Sequence, residues 1–200
     1  MSDRVTIGGR HFRLMIPEEE IREQIRRIAS QLTERYRQKN PLMLCVLNGA
    51  AFFHADLVRA MPIPLSVDYL RMSSYGEGMK SSGALTFTAY PGTEIGGRNV
   101  IVVEDIVDTG LTSARLREYL LQQGAKTVAV AALLFKPGAF RGDTPPEYIG
   151  LPIPDSFVVG FGLDLAQQGR NFPAIYVLDE PQPMHADQPA IIQQSADDFS

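Results

Sequence analysis

Two stretches of this chain, Leu42–Leu47 and Thr127–Phe135, are almost wholly apolar and end at turn-forming or polar residues. Residues 99–103 repeat the pattern. A strand that is apolar at nearly every position must be buried on both faces. A parallel sheet clad in helices provides that environment, whereas a half-solvated sheet does not. The intervening segments supply the helices. Ile21, Ile25, Ile28 and Leu32 recur at helical spacing after Pro17-Glu18-Glu19-Glu20, whose proline and acids suit a first turn. This helix is expected to end near Lys39-Asn40, before Pro41. Residues 51–61 and 112–123 read as two more helices, the second stopped by Gly124. Strands are expected at 65–72 and 84–89, with a polar glycine-containing loop over 73–83, and shorter late strands at 157–160 and 175–178. The alternation predicts an α/β fold built on a doubly wound parallel sheet.

Two flanking regions look different. Val5-Thr6-Ile7 and His11-Phe12-Arg13-Leu14 surround Gly8-Gly9-Arg10 as a small β-hairpin. Residues 137–154 hold several prolines and glycines and read as a long surface loop. Residues 1–180 read as a single domain, followed by a polar tail over 181–200.

Composition narrows the classes of function. The chain has 200 residues, enough for one domain with a full core, and a formal net charge of −4, which argues against nucleic acid as a partner. No apolar stretch has membrane-spanning length, so no membrane partner is expected, and Met1-Ser2-Asp3-Arg4-Val5 lacks a signal-peptide core. Cys45, the single cysteine, lies inside an apolar run and is expected to be a buried strand residue of a cytoplasmic protein. His11, His54 and His185 are too scattered to suggest a metal cluster.

The chemistry concentrates in Val103-Glu104-Asp105-Ile106-Val107-Asp108-Thr109-Gly110-Leu111-Thr112. Here a buried strand runs into two acids, a tight turn and then a helix. In α/β sheets this carboxyl end of a strand is where ligands sit. The free N–H groups of the following helix bind an anion, Thr109 and Thr112 add hydroxyl donors, and Gly110 lets the backbone approach closely. Two acids do not suit a bare phosphate. They suit a ligand that also brings hydroxyl donors and a cation: a ribose 5-phosphate with Mg²⁺, with Glu104 and Asp105 facing the ribose and the metal.

This string resembles the phosphoribosyl-diphosphate motif of the type I phosphoribosyltransferases, and residues 17–180 resemble the hypoxanthine-guanine phosphoribosyltransferase family. The resemblance implies that family's fold, a parallel core with a small hood built from N- and C-terminal segments. It implies that Glu104, Asp105, Thr109, Gly110, Leu111 and Thr112 hold the phosphoribosyl group and that Asp108 is catalytic, near purine N7. Cys45-Val46-Leu47-Asn48-Gly49-Ala50 resembles the pyrophosphate loop, which implies Asn48 and Gly49 as ligands and a cis Leu47–Asn48 peptide. Ser73-Ser74-Tyr75-Gly76 resembles the active-site flap, adding Ser74 and Tyr75 on the pyrophosphate side.

Later motifs extend the match. Lys136, just after a buried strand, is implied to meet the exocyclic oxygen of a 6-oxopurine. An ammonium donates to a carbonyl and is repelled by the amino group of adenine. In Pro154-Asp155-Ser156-Phe157-Val158-Val159-Gly160-Phe161-Gly162-Leu163-Asp164, Phe157 would stack on the base and the Val158 backbone would read its edge. Asp164 would stand near a second Mg²⁺, and Arg170 would bind the leaving pyrophosphate. The implied partners are phosphoribosyl diphosphate and a 6-oxopurine, in a homodimer or homotetramer. Three departures stand out: Leu165 and Gly169 replace aromatic residues, Leu111 replaces a lysine of some members, and the tail has no counterpart. A regulator that senses the same diphosphate is the rival reading. It should show a basic face or an added module, and this acidic chain shows neither. The order of preference among hypoxanthine, guanine and xanthine stays open at this level.

Overall fold

The apolar runs lie at the centre of a sheet. The computed structural model describes residues 2–73, 86–89 and 91–179. Its elements are β1 (Arg4–Ile7), β2 (Arg10–Ile16), α1 (Glu18–Tyr36), β3 (Leu42–Leu47), α2 (Ala51–Arg59), β4 (Ser66–Ser73) and β5 (Thr86–Ala89). There follow β6 (Asn99–Val107), α3 (Leu111–Gln122), β7 (Thr127–Phe135), β8 (Tyr148–Pro152), β9 (Val158–Val159) and β10 (Ile175–Leu178). The main sheet has the order β5-β4-β3-β6-β7-β8, parallel except for the antiparallel edge strand β5.

Strand alternation explains why the central runs are apolar throughout. Met43, Ile101, Val103, Ala131 and Leu133 point to one face, where they pack with Ile21, Ile25, Ile28 and Leu32 of α1 and Phe53 and Leu57 of α2. Their sequence neighbours Leu42, Leu44, Val100, Val102, Val130 and Ala132 point to the other face, against Leu116 and Leu120 of α3. Helices on both faces make the sheet doubly wound, and each fully buried side chain of this size contributes about 1.5–3 kcal/mol. α1 ends at Tyr36, the last buried residue of its inner face, three residues before Lys39.

The long surface loop expected over 137–154 needs correction, because β8 lies within it and pairs in parallel with β7. Prolines are tolerated there because β8 is an edge strand, whose outer groups need no ladder partner. Gly150 lets the strand approach: a Cβ at that position would overlap the Leu133 carbonyl. From α1, the Arg27 guanidinium donates to the carbonyls of Ile149 and Gly150 at 2.5 and 3.1 Å, which supports this edge.

The hairpin β1–β2 joins β10 and β9 in a second, antiparallel sheet of order β1-β2-β10-β9. Phe12, Val159 and Tyr176 are its buried centre. This is the hood built from both ends of the domain. No helix among the described residues is long and apolar enough to cross a membrane.

Candidate active site

β6 runs through the two acids, so Glu104 pairs with Ala132 of β7 instead of lying beyond the strand. Side-chain alternation then separates the acids: Glu104 is buried and Asp105 part-buried on the opposite face. Burial drives the Glu104 pKa up to about 7, with the Ser113 hydroxyl pulling it down and Asp105 pushing it further up. Its Oε1 is buried without a hydrogen-bond partner. Asp105 is also raised by burial, although the Ile106 N–H donates to its Oδ1 at 3.0 Å.

After Val107 the chain turns through Asp108 and Thr109 to Gly110, which sits at φ 79° as the N-cap of α3. Glycine is required twice over, because a Cβ there would also overlap the Phe140 ring. The N-cap Gly110 offers no capping side chain and the first turn of α3 holds no acid. The Leu111 N–H donates to Thr109 Oγ1 at 3.4 Å, and the N–H groups that follow it in the first turn can meet an anion. The Arg141 N–H donates to the Thr109 carbonyl at 3.0 Å and pins the loop from outside. Leu111 and Thr112 are exposed at this helix start.

The loop after β3 is held by an equally close approach. The Leu47–Asn48 peptide is cis. A Cβ on Gly49 would overlap the Asp105 carboxylate, and one on Gly162 would overlap the Gly49 carbonyl. Two glycines therefore let three segments stack: the 48–50 loop, the acids of β6 and the 162–170 segment. On that last segment Arg170 donates to the Gly162 carbonyl at 2.7 Å and pairs with Asp164 at 2.6 Å. Asp164 also accepts from the Gln167 N–H at 2.7 Å. An open groove of about 690 Å³ passes Asn48, Phe52 and Arg170 and reaches Ile7 of the hood. Leu165 packs with the hood cluster, and Gly169, at φ 94°, lies against Ile7. The hairpin tip thus takes the space that an aromatic residue at 169 would need.

A third group gathers beyond β7. Lys136 is buried, and its Nζ donates to Asp108 Oδ2 at 3.1 Å and to Asp155 Oδ1 at 3.4 Å. Phe157 is half-buried, with its ring 6.2 Å from that of Phe12 in the hood, and Val158 is buried in β9. Sequence reasoning missed Asp155, Phe140 and the role of Gly162. Asp155 meets Lys136 across 19 positions of chain, so no local pattern announces it. The positive φ of Gly162 and its contact are likewise set by packing. Ser74 and Tyr75, and the tail over 181–200, lie outside the described residues.

The donor set suits the Mg²⁺ that the resemblance implies. Carboxylate oxygens are hard ligands, and the orphaned Glu104 Oε1 is a buried acceptor with no protein donor. Among the described residues no three such groups gather into a cage. Mg²⁺ commonly keeps several waters and takes substrate phosphates, so a full protein cage is not needed.

A parallel sheet with a glycine-led helix start, two consecutive acids and a stacked glycine loop at its carboxyl edge defines a phosphoribosyl transferase domain, and that family matches residues 17–166. A hypoxanthine-guanine phosphoribosyltransferase of Aquifex aeolicus is 35% identical over 87% of this chain and 98% of that protein. A hypoxanthine phosphoribosyltransferase of Salmonella typhimurium is 40% identical over 84% of this chain and 97% of that protein. The crystal structure of a hypoxanthine phosphoribosyltransferase from Staphylococcus aureus superposes with a TM-score of 0.79 at 34% identity, covering 82% of this chain and 90% of that one. The chain belongs to the hypoxanthine-guanine phosphoribosyltransferase family.

Proposed function

We propose that residues 1–180 act as one enzyme unit of purine salvage. The enzyme transfers the phosphoribosyl group of phosphoribosyl diphosphate to N9 of hypoxanthine or guanine, giving IMP or GMP and pyrophosphate. The observation behind this reading is the pairing of Lys136 and Asp108 at 3.1 Å, beside the glycine-led start of α3. A group that reads a base carbonyl and a group that handles a base proton stand next to a phosphate site.

In the reaction purine N9 attacks the anomeric carbon, and the bond from that carbon to the pyrophosphate oxygen breaks. The N–H groups at the start of α3, with Thr109, Gly110, Leu111 and Thr112, hold the 5-phosphate. Glu104 and Asp105 accept from the ribose hydroxyls. Asn48, Gly49, Ser74, Tyr75 and Arg170 bind the departing pyrophosphate, where charge develops in the transition state. Asp108 takes the proton from N7 as N9 bonds, Lys136 donates to the 6-oxo group, and Phe157 and Val158 hold the ring and its edge. Glu104, Asp105 and Asp164 would hold Mg²⁺, which supplies charge neutralisation at the diphosphate.

The buried, reduced Cys45 supports a cytoplasmic location. Exposed Phe52, Val67 and Tyr69 support assembly as a homodimer or homotetramer, which light scattering on the purified protein measures. The decisive assay follows nucleotide formation from hypoxanthine, guanine, xanthine and adenine with phosphoribosyl diphosphate, with and without Mg²⁺. Mg²⁺-dependent product from hypoxanthine or guanine and little from adenine is expected. No product from any base would overturn the reading in favour of a diphosphate sensor.

A further inference from the structure

We propose that Asp155 is a positioning residue that aims the Lys136 ammonium into the base site. The inference rests on the reading of Lys136 as the group that meets the 6-oxo oxygen, and it adds a second carboxylate that nothing in the motif pattern assigns to the reaction.

An ammonium has three N–H donors in fixed tetrahedral directions. In Lys136, which is only 8% exposed, two of them are taken by carboxylates on different segments. One goes to Asp108 on the loop after β6, at 3.1 Å, and the other to Asp155 before β9, at 3.4 Å. The base of the side chain is fixed as well: the Lys136 N–H donates to the Val107 carbonyl at 3.0 Å. The Phe140 N–H returns to the Lys136 carbonyl at 3.1 Å. With its root and two donors held, the third N–H has a set direction.

The two carboxylates are not equivalent. Asp108 has work of its own at the base, and once it turns to a purine N–H the ammonium loses that partner. Asp155 has no such duty. It keeps the ammonium in place and paired through the exchange, which a nearly buried cation requires. Asp155 also stands two residues before Phe157, so the arm that stacks on the base also holds the donor that reads its carbonyl. The Asp155 side chain is 66% exposed and contributes nothing to the core, so its removal leaves the fold intact.

The test measures kcat and KM for hypoxanthine and for phosphoribosyl diphosphate in the wild type, Asp155→Ala, Asp155→Glu, Lys136→Ala and the double variant. Losing one hydrogen bond to a charged group should raise the hypoxanthine KM about tenfold in Asp155→Ala, with the diphosphate KM within about twofold. Asp155→Glu should recover most of the loss, and Asp155→Ala should add nothing in the Lys136→Ala background. If Lys136→Ala raises the hypoxanthine KM while Asp155→Ala leaves it unchanged, the Asp155 inference falls and the base-site reading stands. If Lys136→Ala itself leaves the hypoxanthine KM unchanged, the base-site reading falls. Equal losses for both substrates in Asp155→Ala, or additive effects in the double variant, would also overturn the positioning role.

Discussion

Glu104→Gln should make the free protein more stable at pH 8 than at pH 5, relative to the wild type, while it weakens the reaction. Glu104 has a carboxyl pKa of about 7 in the folded chain against an ordinary 4.5, because burial disfavours its charge. A carboxyl whose folded pKa lies above its unfolded value binds more protons when folded, so wild-type stability falls as pH rises between the two. Between pH 4.5 and 7 the wild type therefore loses stability that a neutral glutamine does not lose. With those two values, linkage puts the cost of Glu104 at about 1 kcal/mol at pH 5 and about 3 kcal/mol at pH 8. Glutamine leaves an amide without a partner beside the orphaned position, costing about 1–3 kcal/mol, but that cost is the same at both pH values. The clean quantity is the change in the variant's advantage from pH 5 to pH 8, about 2 kcal/mol in its favour. Urea unfolding of both proteins at the two pH values, without divalent ions or substrate, measures it, since ligands would stabilise the wild type selectively. A pH-independent difference would refute the idea that this site keeps a buried carboxylate at a cost in stability.

Asp108→Asn should lower kcat about 10²–10⁴-fold while diphosphate affinity changes little, as steady-state kinetics and a binding titration would show. Near wild-type turnover would remove Asp108 from proton transfer. Gly162→Ala, which strains a φ of 102° and drives a Cβ into the Gly49 carbonyl, should lower Tm and diphosphate affinity together. Gly97→Ala strains a φ of 71° with nothing within 4 Å of the new Cβ, so it should lose only the about 1–2 kcal/mol of left-handed backbone cost and keep diphosphate affinity. Burial pushes the Cys45 thiol up to about 12, so a thiol reagent at pH 8 should label it only after denaturant unfolds the chain.

The alternating identity of the core was legible in the sequence, because periodicity is a local property. Leu42–Leu47, Thr127–Phe135 and Ile175–Leu178 fall where apolar runs placed them. The 103–112 string was legible as a strand end, a turn and a helix start because the three are contiguous in the chain. The β8 edge strand was not legible, since Pro and Gly in Tyr148–Pro152 mimic a loop and only pairing with β7 makes it a strand. The grouping of the site was also beyond the sequence. Gly49, Asp105 and Gly162 meet because sheet order puts β3 beside β6 and the hood returns the 162–170 segment over both. Lys136 and Asp155 meet for the same kind of reason, through segments that diverge and fold back. Local patterning therefore determined which elements form and that a strand end, two acids, a tight turn and a helix start adjoin. Long-range packing alone decided which charges face one another, because distance in space depends on topology and spacing in the chain does not encode it.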